Sequence, residues 1–321
     1  MVITMRANNV LGIIYSNAYD SVLSELTNAR TMGSVPFGGR YRLIDFALSN
    51  LVNCGINKVG IITKSNYQSL MDHIGTGKPW DLSRKRGGMF LLPPFNNSHT
   101  GMYRDRIQAL RGIMRFLEQS KEEYIVLMDT NVVCNFDLND MCRAHTESGA
   151  DITIAYHHGR APRLDDLMTF TFEENQKVAK IALDPKTSNP VDYAMNIILI
   201  SKALLTRLIN NAVSLNQDSF VRDVIQHNLK RLNIYGYEVS GFTSVFDSLQ
   251  SYYDISMSLL DPANCQELFT RERPVYTKVR DDMPAIYGLG STVKNSLVAD
   301  GCSIDGEVEN CILFRGVQIR S

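Results

Sequence analysis

The sequence NVLGIIY at residues 9–15 is followed by IDFALSNLVNCG at 44–55 and by NKVGIIT at 57–63. The first and third segments are short, apolar and rich in β-branched residues, which is typical of buried strands. The middle segment carries its apolar residues at helical spacing. This order predicts a strand, a helix and a second strand parallel to the first, the βαβ unit of an α/β fold.

The same alternation continues along the chain. A helical pattern at 106–119 is followed by apolar runs at 124–129, 152–158, 178–183 and 195–201, with further helical patterns between them. We therefore expect an open α/β domain with a mixed, mostly parallel sheet. Ligands of such sheets bind beyond the carboxyl ends of the strands.

The last part of the chain has a different character. Apolar residues recur there at short, irregular steps among glycines: Val293, Val298, Ile304, Val308, Ile312 and Val317. A parallel β-helix and a β-meander both fit this pattern. We predict an α/β domain at 1–260, a linker at 261–284 and the start of a second domain, truncated, at 285–321.

Composition limits the classes of function. The net charge is -1 and charged residues make up 21% of the chain, so no excess of basic residues indicates binding to nucleic acid or membrane. Six cysteines without a CxxC pair predict a reduced, cytoplasmic setting. Adjacent His157 and His158 point to opposite faces of a strand, so we predict no metal site there. No signal peptide or membrane span is predicted.

Residues 34–56, SVPFGGRYRLIDFALSNLVNCGI, place Gly38 and Gly39 before Arg40 and Arg42. Glycines permit a tight turn, and arginines can hold an anion with two hydrogen bonds. A surface turn with solvated charges explains the same residues, and from these residues alone that interpretation is the stronger one.

The segment VPFGGRYRLIDFALSN (35–50) is also very similar to the signature of ADP-glucose pyrophosphorylases. Residues 77–94, GKPWDLSRKRGGMFLLPP, and 313–319, LFRGVQI, are further matches, so the resemblance follows the chain in order. It implies a nucleotidyltransferase that converts ATP and glucose 1-phosphate to ADP-glucose and pyrophosphate in bacterial glycogen synthesis. It also implies a Rossmann-like domain followed by a left-handed β-helix.

The charged residues that this reaction needs are replaced. Such chemistry depends on Mg²⁺ held by carboxylates and on phosphates held by Lys and Arg. By the resemblance, Val22 and Met32 stand at the positions of a phosphate-binding arginine and a lysine, and Asn131 and Val245 at those of two metal-binding aspartates. Asp184 stands where a lysine holds glucose 1-phosphate. The resemblance therefore implies an active site in which no catalytic residue is intact and no metal is bound.

Two loops of the family are replaced as well. NAYDSVL (17–23) stands in place of the glycine-rich loop GGxGxRL, and DRIQA (105–109) in place of GTADA. One alternative remains, an active but diverged enzyme, because Asp129 and Asp247 each lie two residues from a lost carboxylate. Two residues of strand span about 7 Å, so both would require a shift in register.

The first hypothesis is thus a regulatory subunit that binds no cofactor and pairs with a catalytic subunit, which uses Mg²⁺, in a heterotetramer. A further alternative is a sugar-phosphate or nucleotide sensor. Its binding surface would be formed by Lys78, Trp80, Asp81, Arg84 and Arg86.

A phosphate-bearing effector is the other expected partner. Arg30, Arg40 and Arg42 survive in the N-terminal stretch where family activators bind, and Arg315 and Arg320 could add charge from the C-terminal region. Surface ion pairs, each worth about 0–1 kcal/mol, explain the same arginines nearly as well. Because these arginines are kept while the charged residues of the active site are replaced, we favour an anion-binding site over surface ion pairs.

Overall fold

A computed structural model describes residues 7–94, 103, 105–184 and 187–320. Residues 1–6 and Ser321, which belong to the first and last predicted domains, lie outside the described residues. The strands are β1 (Val10–Tyr15), β2 (Pro36–Phe37), β3 (Tyr41–Arg42), β4 (Lys58–Ile62), β5 (Gly88–Leu92), β6 (Tyr124–Asp129), β7 (Val132–Cys134), β8 (Ile152–Gly159), β9 (Met168–Phe172), β10 (Val178–Leu183), β11 (Val191–Ser201), β12 (Ile234–Glu238), β13 (Thr243–Val245), β14 (Ile286–Tyr287), β15 (Thr292–Lys294), β16 (Leu297–Val298), β17 (Ser303–Ile304), β18 (Glu307–Glu309), β19 (Ile312–Leu313) and β20 (Gln318–Ile319). The α-helices are α1 (Ser24–Thr27), α2 (Leu43–Asn53), α3 (Gln68–Ile74), α4 (Arg106–Gly112), α5 (Met114–Gln119), α6 (Leu138–Ser148), α7 (Lys202–Ser214), α8 (Leu249–Ser258) and α9 (Pro262–Leu268).

Nine of these strands form the central sheet, in the order β10-β9-β11-β6-β1-β4-β5, with β8 beside β11 and β12 beside β8. The pairings β1–β4, β1–β6, β4–β5 and β8–β12 are parallel, whereas β11 runs against all its neighbours. Only β10 and β11 run in the reverse direction. The predicted α/β fold with a mixed, mostly parallel sheet is confirmed.

Helix α2 lies very close to β1. A Cβ atom at Gly12, in the middle of β1, would come within 2.6 Å of a Leu51 methyl carbon, so glycine permits this approach. The helix begins with a capping box, in which the Arg42 N–H donates to Asp45 Oδ2 at 3.0 Å. The βαβ unit predicted from residues 9–63 is therefore present.

Alternating side chains of β1 face two apolar layers, one on each side of the sheet. Val10 and Ile14 pack with α2, α3 and α6, and Leu11 and Ile13 pack with α4 and α7. Each such fully buried side chain contributes about 1.5–3 kcal/mol to folding. The predicted helix at 106–119 is wrong in one respect, because the structure ends α4 at Gly112 and starts α5 at Met114. Glycine disfavours a continuous helix at that point.

A third apolar cluster joins the N-terminal segment to the C-terminal helices. Phe37 contacts Phe46 and Phe246 edge to face, with ring centroids 5.6 Å apart in both pairs. Leu259 and Leu268, from the region of α8 and α9, complete this cluster. Residues 32–46 are thus held between the sheet and the end of the α/β region.

The strands after residue 285 form three small parallel sheets. Each strand pairs with the strand three further along the chain: β14 with β17 and β17 with β20, β15 with β18, and β16 with β19. The β-meander alternative is wrong, because consecutive strands of a meander pair antiparallel. Within the described ranges no helix is long and apolar enough to cross a membrane.

Candidate functional site

A cavity of about 340 Å³ opens at the carboxyl ends of β1 and β4. The last residues of these strands, Tyr15 and Ile62, lie in its wall together with Thr63. Arg106 from the start of α4 and Phe220 from the π-helical turn Phe220–Ile225 close the other side. This is the sheet edge at which the sequence predicts ligand binding.

Arg106 dominates the inner part of this cavity. Its guanidinium forms an ion pair with the fully buried Asp129 at the end of β6. The same group lies 4.7 Å from the ring centroid of Tyr15 and 5.6 Å from that of Phe220. Burial opposes the charge of Arg106, but Asp129 raises the pKa of the guanidinium above its ordinary value. The side chain is therefore a fixed cation inside the cavity, already neutralised by the protein.

The loop after β1 is closed by its own side chains. Asn17 Nδ2 donates to Asp20 Oδ2 at 2.7 Å, and Asn17 Oδ1 accepts from the Lys64 N–H at 2.7 Å. Asp20 Oδ1 accepts the Met32 N–H at 2.8 Å. Burial raises the pKa of Asp20 to about 6. A carboxylate of this loop thus occupies the backbone N–H of Met32, which is then not offered to an anion.

The acidity of the cavity mouth was missed by sequence reasoning. Asp105, Asp165, Asp166 and Asp218 lie in the lining, against the cations Lys64 and Arg106. Asp105 was visible only as a replacement in the DRIQA segment, and the others belong to segments that carry no motif. Four carboxylates at one mouth oppose the entry of a phosphate.

Two of the predicted degenerate positions lie side by side. Val245 pairs with Val132 between β13 and β7, and the adjacent Phe246 N–H donates to the Asn131 carbonyl at 2.9 Å. The Asn131 side chain is fully buried, and neither its amide nitrogen nor its oxygen has a hydrogen-bond partner among the described residues. Sequence reasoning placed these residues at one site, and the structure brings them together.

The other three positions do not reach the cavity. Met32 is fully buried in the third apolar cluster, and Val22 packs half-buried against the same cluster. Asp184 is exposed at the end of the β9–β10 hairpin, where its Oδ1 accepts the Leu167 N–H at 3.1 Å. These three residues do not belong to the cavity lining, and each has structural contacts elsewhere in the chain.

The carboxylates of the active-enzyme alternative are engaged elsewhere. Asp129 is paired with Arg106, as described above. Asp247 Oδ2 accepts the Arg163 N–H at 2.8 Å, and its Oδ1 accepts the Ser248 hydroxyl at 3.0 Å. Asp247 lies in a separate cavity of about 390 Å³ beside Val245. In the part of the chain that the structure describes, no group of three His, Cys, Asp or Glu side chains is placed to hold a metal ion.

Within the segment 77–94, residues 77–88 lie at the opposite edge of the sheet, and residues 88–92 form β5. The Gly88 N–H donates to the Asn57 carbonyl, which precedes β4, so the segment borders the amino ends of β4 and β5. Trp80 is 1% exposed and packs against His73, which corrects its prediction as a surface residue. Asp81 and Arg84 pair with one another in solvent. The remaining predicted members of this surface, Lys78 and Arg86, are exposed.

Four of the five predicted effector arginines are linked by their charges, either directly or through Arg280. The positive charges of Arg30 and Arg280 lower the pKa of Arg42, after the larger effect of burial. Burial, followed by Arg280 and Arg40, likewise lowers the pKa of Arg315. Arg280 was missed, although it lies in the basic run of the linker. These five residues, Arg30, Arg40, Arg42, Arg280 and Arg315, are called the arginine cluster below.

Two members of the arginine cluster are anchored. Arg42 Nη1 donates to the Ser69 carbonyl at 2.6 Å and to the Ser69 hydroxyl at 2.9 Å. Arg315 Nη2 donates to the Lys278 carbonyl at 3.2 Å. Arg320, by contrast, is exposed after β20 and does not contribute to the charge effects on Arg42 or Arg315.

Comparison with known proteins agrees with this architecture. The family model "Nucleotidyl transferase" matches residues 12–247. The glycogen biosynthesis protein GlgD of Bacillus subtilis is 36% identical over 315 residues, which cover 98% of this chain and 82% of that protein. The chain belongs to the nucleotidyl transferase family.

Two further relatives place it more closely within that family. GlgD of Geobacillus stearothermophilus is 37% identical, over 97% of this chain and 81% of that protein. A glucose-1-phosphate adenylyltransferase of Clostridium acetobutylicum is 31% identical, over 98% of this chain and 84% of that protein. The family match ends at Asp247, just beyond the strand that carries Val245.

Proposed function

We propose that this chain is a regulatory, catalytically degenerate subunit of ADP-glucose pyrophosphorylase in glycogen biosynthesis. The observation that carries the proposal is the pairing of β7 with β13, which places a neutral amide, Asn131, beside a hydrocarbon, Val245. The resemblance puts two metal-binding aspartates at these positions. Protein sites for magnesium are usually built on one or two carboxylates, and an amide and a hydrocarbon side chain supply neither.

The cavity at the ends of β1 and β4 supports the same proposal. Arg106 is paired with Asp129, and Asp20 of the replaced nucleotide loop accepts the backbone N–H of Met32. Two unit charges that lie 4 Å apart interact with an energy of about 4 kcal/mol at an effective dielectric constant near 20. Among the described lining residues, Lys64 is the one cation outside an ion pair, and four aspartates border the same cavity, so the net charge of the lining opposes a triphosphate.

The partner in this proposal is a catalytic paralogue that uses Mg²⁺, assembled with this chain in a cytoplasmic heterotetramer. Exposed apolar residues favour such a contact, since five of them lie within residues 279–289, where the proposed linker meets the first small sheet: Val279, Met283, Ile286, Tyr287 and Leu289. We further propose that the three parallel sheets are the start of a left-handed β-helix domain, beginning near residue 285 after a linker at 261–284.

Regulation would act through the arginine cluster. Its members come from the N-terminal loop, the linker and the turn after β19, so an anion held there would connect the two proposed domains. Arginine suits a phosphate because its planar group donates two parallel hydrogen bonds. Binding of an effector at such a site typically changes the conformational equilibrium of the catalytic partner by about 1–3 kcal/mol.

The test is the rate of ADP-glucose formation from ATP, glucose 1-phosphate and Mg²⁺. It is measured for this chain alone, for the catalytic partner alone and for the two together. We expect no turnover from this chain alone and a changed rate or effector response in the mixture. Turnover by the chain alone within a factor of ten of the median for enzymes, about 10 s⁻¹, would overturn the proposal.

A further inference from the structure

Helix α3 connects an N-terminal and a C-terminal member of the arginine cluster. Arg42 Nη1 donates to the carbonyl and hydroxyl oxygens of Ser69, in the first turn of this helix. One turn further on, the Asp72 carbonyl accepts a hydrogen bond from Lys278 Nζ. The Lys278 carbonyl in turn accepts from Arg315 Nη2 at 3.2 Å. Two arginines from opposite ends of the chain are therefore attached to one short helix.

A buried hydrogen bond fixes α3 against the start of α2. His73 Nε2 donates to Asp45 Oδ1 at 2.6 Å, and the two side chains are 4% and 0% exposed. Asp45 Oδ2 accepts the backbone N–H of Arg42 at 3.0 Å, as part of the capping box of α2. One carboxylate therefore binds the backbone of Arg42 with one oxygen and α3 with the other.

Apolar packing alone does not fix the orientation of α3. Leu70 and Ile74 are buried in the core cluster beside α2, but apolar contacts are non-directional and tolerate small rotations. Ser69 and His73 lie four residues apart on the helix, so both face the start of α2. The hydrogen bond of His73 is a buried, directional contact between the two helices. It thereby determines where Ser69 presents its oxygens to Arg42.

Such anchoring matters for a site that binds an anion. An arginine side chain loses rotamer freedom when it is held in one position, and a protein that has fixed the side chain beforehand binds its ligand more tightly. Arg42 and Arg315 are half-buried and each has a hydrogen-bond partner in the chain. A guanidinium carries five N–H donors, so this anchoring leaves donors for an anion.

We propose that His73 is a positioning residue for the arginine cluster. It acts through Asp45 and α3 to hold Arg42 in place for a phosphate-bearing anion, and the same helix is linked to Arg315. The inference rests on the proposed effector site and adds a residue that does not itself touch the anion. His73 is buried against Trp80, with ring centroids 5.9 Å apart, so it influences binding only by way of the elements that it holds.

The experiment measures binding of pyrophosphate to the full chain by calorimetry near neutral pH. Arg280→Ala first establishes that the anion binds at the arginine cluster, and its Kd should rise about tenfold because a charged donor is lost. In His73→Phe the ring remains but the donor to Asp45 is lost, and the Kd should rise about fivefold. His73→Gln keeps an N–H group for Asp45 and should bring the Kd to within about twofold of that of the unaltered chain.

Ser69→Ala is an independent variant that removes the hydroxyl contact to Arg42 and no charge, so it should raise the Kd about twofold while the fold is kept. His145→Phe is the matched control. His145 is also a buried histidine, with a hydrogen bond to the Thr153 hydroxyl and an edge-to-face contact with Tyr124. It lies in α6 and bonds to β8, so its replacement should leave the Kd unchanged.

The outcomes separate this inference from the proposed function. If Arg280→Ala leaves the Kd unchanged, the cluster is not the anion site and both are wrong. If Arg280→Ala weakens binding while His73→Phe and Ser69→Ala do not, the effector site stands and the positioning role is overturned. An equal rise in His73→Phe and His145→Phe would also overturn that role, because it would show that lost stability alone weakens binding.

Discussion

Arg106 and Asp129 form a buried ion pair that joins the first residue of α4 to the last residue of β6. The carboxylate is fully buried and the arginine side chain is 14% exposed. Burial raises the pKa of Asp129, while the charge and hydrogen bond of Arg106 lower it. Each member therefore depends on the other to remain charged inside the protein.

The first prediction is that Arg106→Ala destabilises the chain strongly. It would leave Asp129 buried without a counter-charge, and breaking a buried pair in this way costs about 3–5 kcal/mol. The free energy of unfolding, measured by urea denaturation, checks this. The double variant Arg106→Met/Asp129→Leu should lose much less, because both charges are removed together.

Arg143→Ala serves as the comparison, since Arg143 forms an exposed pair with Asp140. Its loss should change the free energy of unfolding by about 0–1 kcal/mol. Equal effects of Arg106→Ala and Arg143→Ala would show that the Arg106–Asp129 pair is solvated in solution.

The second prediction concerns pH and Asp20. Burial raises the pKa of Asp20 from 3.8 to about 6, so between these values the folded chain binds a proton that the unfolded chain has released. Stability attributable to Asp20 is therefore greatest below about pH 4 and is lost as the pH rises through about 6. Asp20→Asn should remove this dependence.

The measurement is the free energy of unfolding of both chains at several pH values. Relative to Asp20→Asn, the unaltered chain should lose about 1–2 kcal/mol between pH 4 and pH 7, allowing for partial exposure. A constant difference across that range would contradict a raised pKa. The hydrogen bonds lost in Asp20→Asn lower its free energy of unfolding by the same amount at pH 4 and at pH 7. They therefore do not affect the change with pH.

The third prediction follows from the position of Met32, which the resemblance aligns with a substrate-binding lysine. Its side chain is fully buried beside Phe37 and Phe246, not in the cavity. Met32→Lys should therefore destabilise the chain by several kcal/mol, because an unpaired ammonium is placed in an apolar cluster. Met32→Leu conserves volume and should cost less than about 1.5 kcal/mol. Thermal unfolding of both variants distinguishes a core position from a ligand-facing one, since an exposed lysine would leave stability unchanged.

The sequence was informative where local pattern and packing agree. NVLGIIY predicted a strand at 9–15 and the structure has β1 at Val10–Tyr15, because a β-branched run between loops has few other ways to bury its side chains. The missing carboxylates at Asn131 and Val245 were equally visible, since a loss is read directly from the residue types. The resemblance placed both positions at one site, and the β7–β13 pairing brings them together.

Other features depend on contacts that no local pattern encodes. In the sequence, Arg106 was only one residue of the segment DRIQA, which replaces GTADA of the family. Its pairing with Asp129 depends on where the start of α4 lies relative to the end of β6. Trp80 stands in a charged segment but faces the interior, because the turn at Lys78–Trp80 directs it toward His73. Charge alone suggested a surface there, and only the path of the backbone decides which side chains are solvated.

The fourth prediction tests the arginine cluster. Burial and, after it, the charge of Arg280 lower the pKa of both Arg42 and Arg315, so Arg280 acts on an arginine of the N-terminal region and on one of the C-terminal region. A phosphate bound there would relieve this repulsion and gain charge-assisted hydrogen bonds worth about 1.5–3 kcal/mol each. Removing one arginine should thus raise the effector concentration for half-maximal stimulation about tenfold or more in the complex with the catalytic partner.

Arg40→Ala, Arg42→Ala and Arg280→Ala are the test variants, and Arg320→Ala is the matched control. Arg320 is an exposed arginine of the same C-terminal region that does not contribute to the charge effects on Arg42 or Arg315, so its removal should leave the half-maximal concentration unchanged. Arg42→Ala also loses the hydrogen bonds to Ser69, so it alone should reduce stability as well. Arg40 and Arg280 are exposed, and their variants should respond only through the effector. An unchanged half-maximal concentration in both of these variants would show that the cluster holds no effector. An equal effect of Arg320→Ala would show that the effector responds to the general positive charge of the surface and not to the cluster.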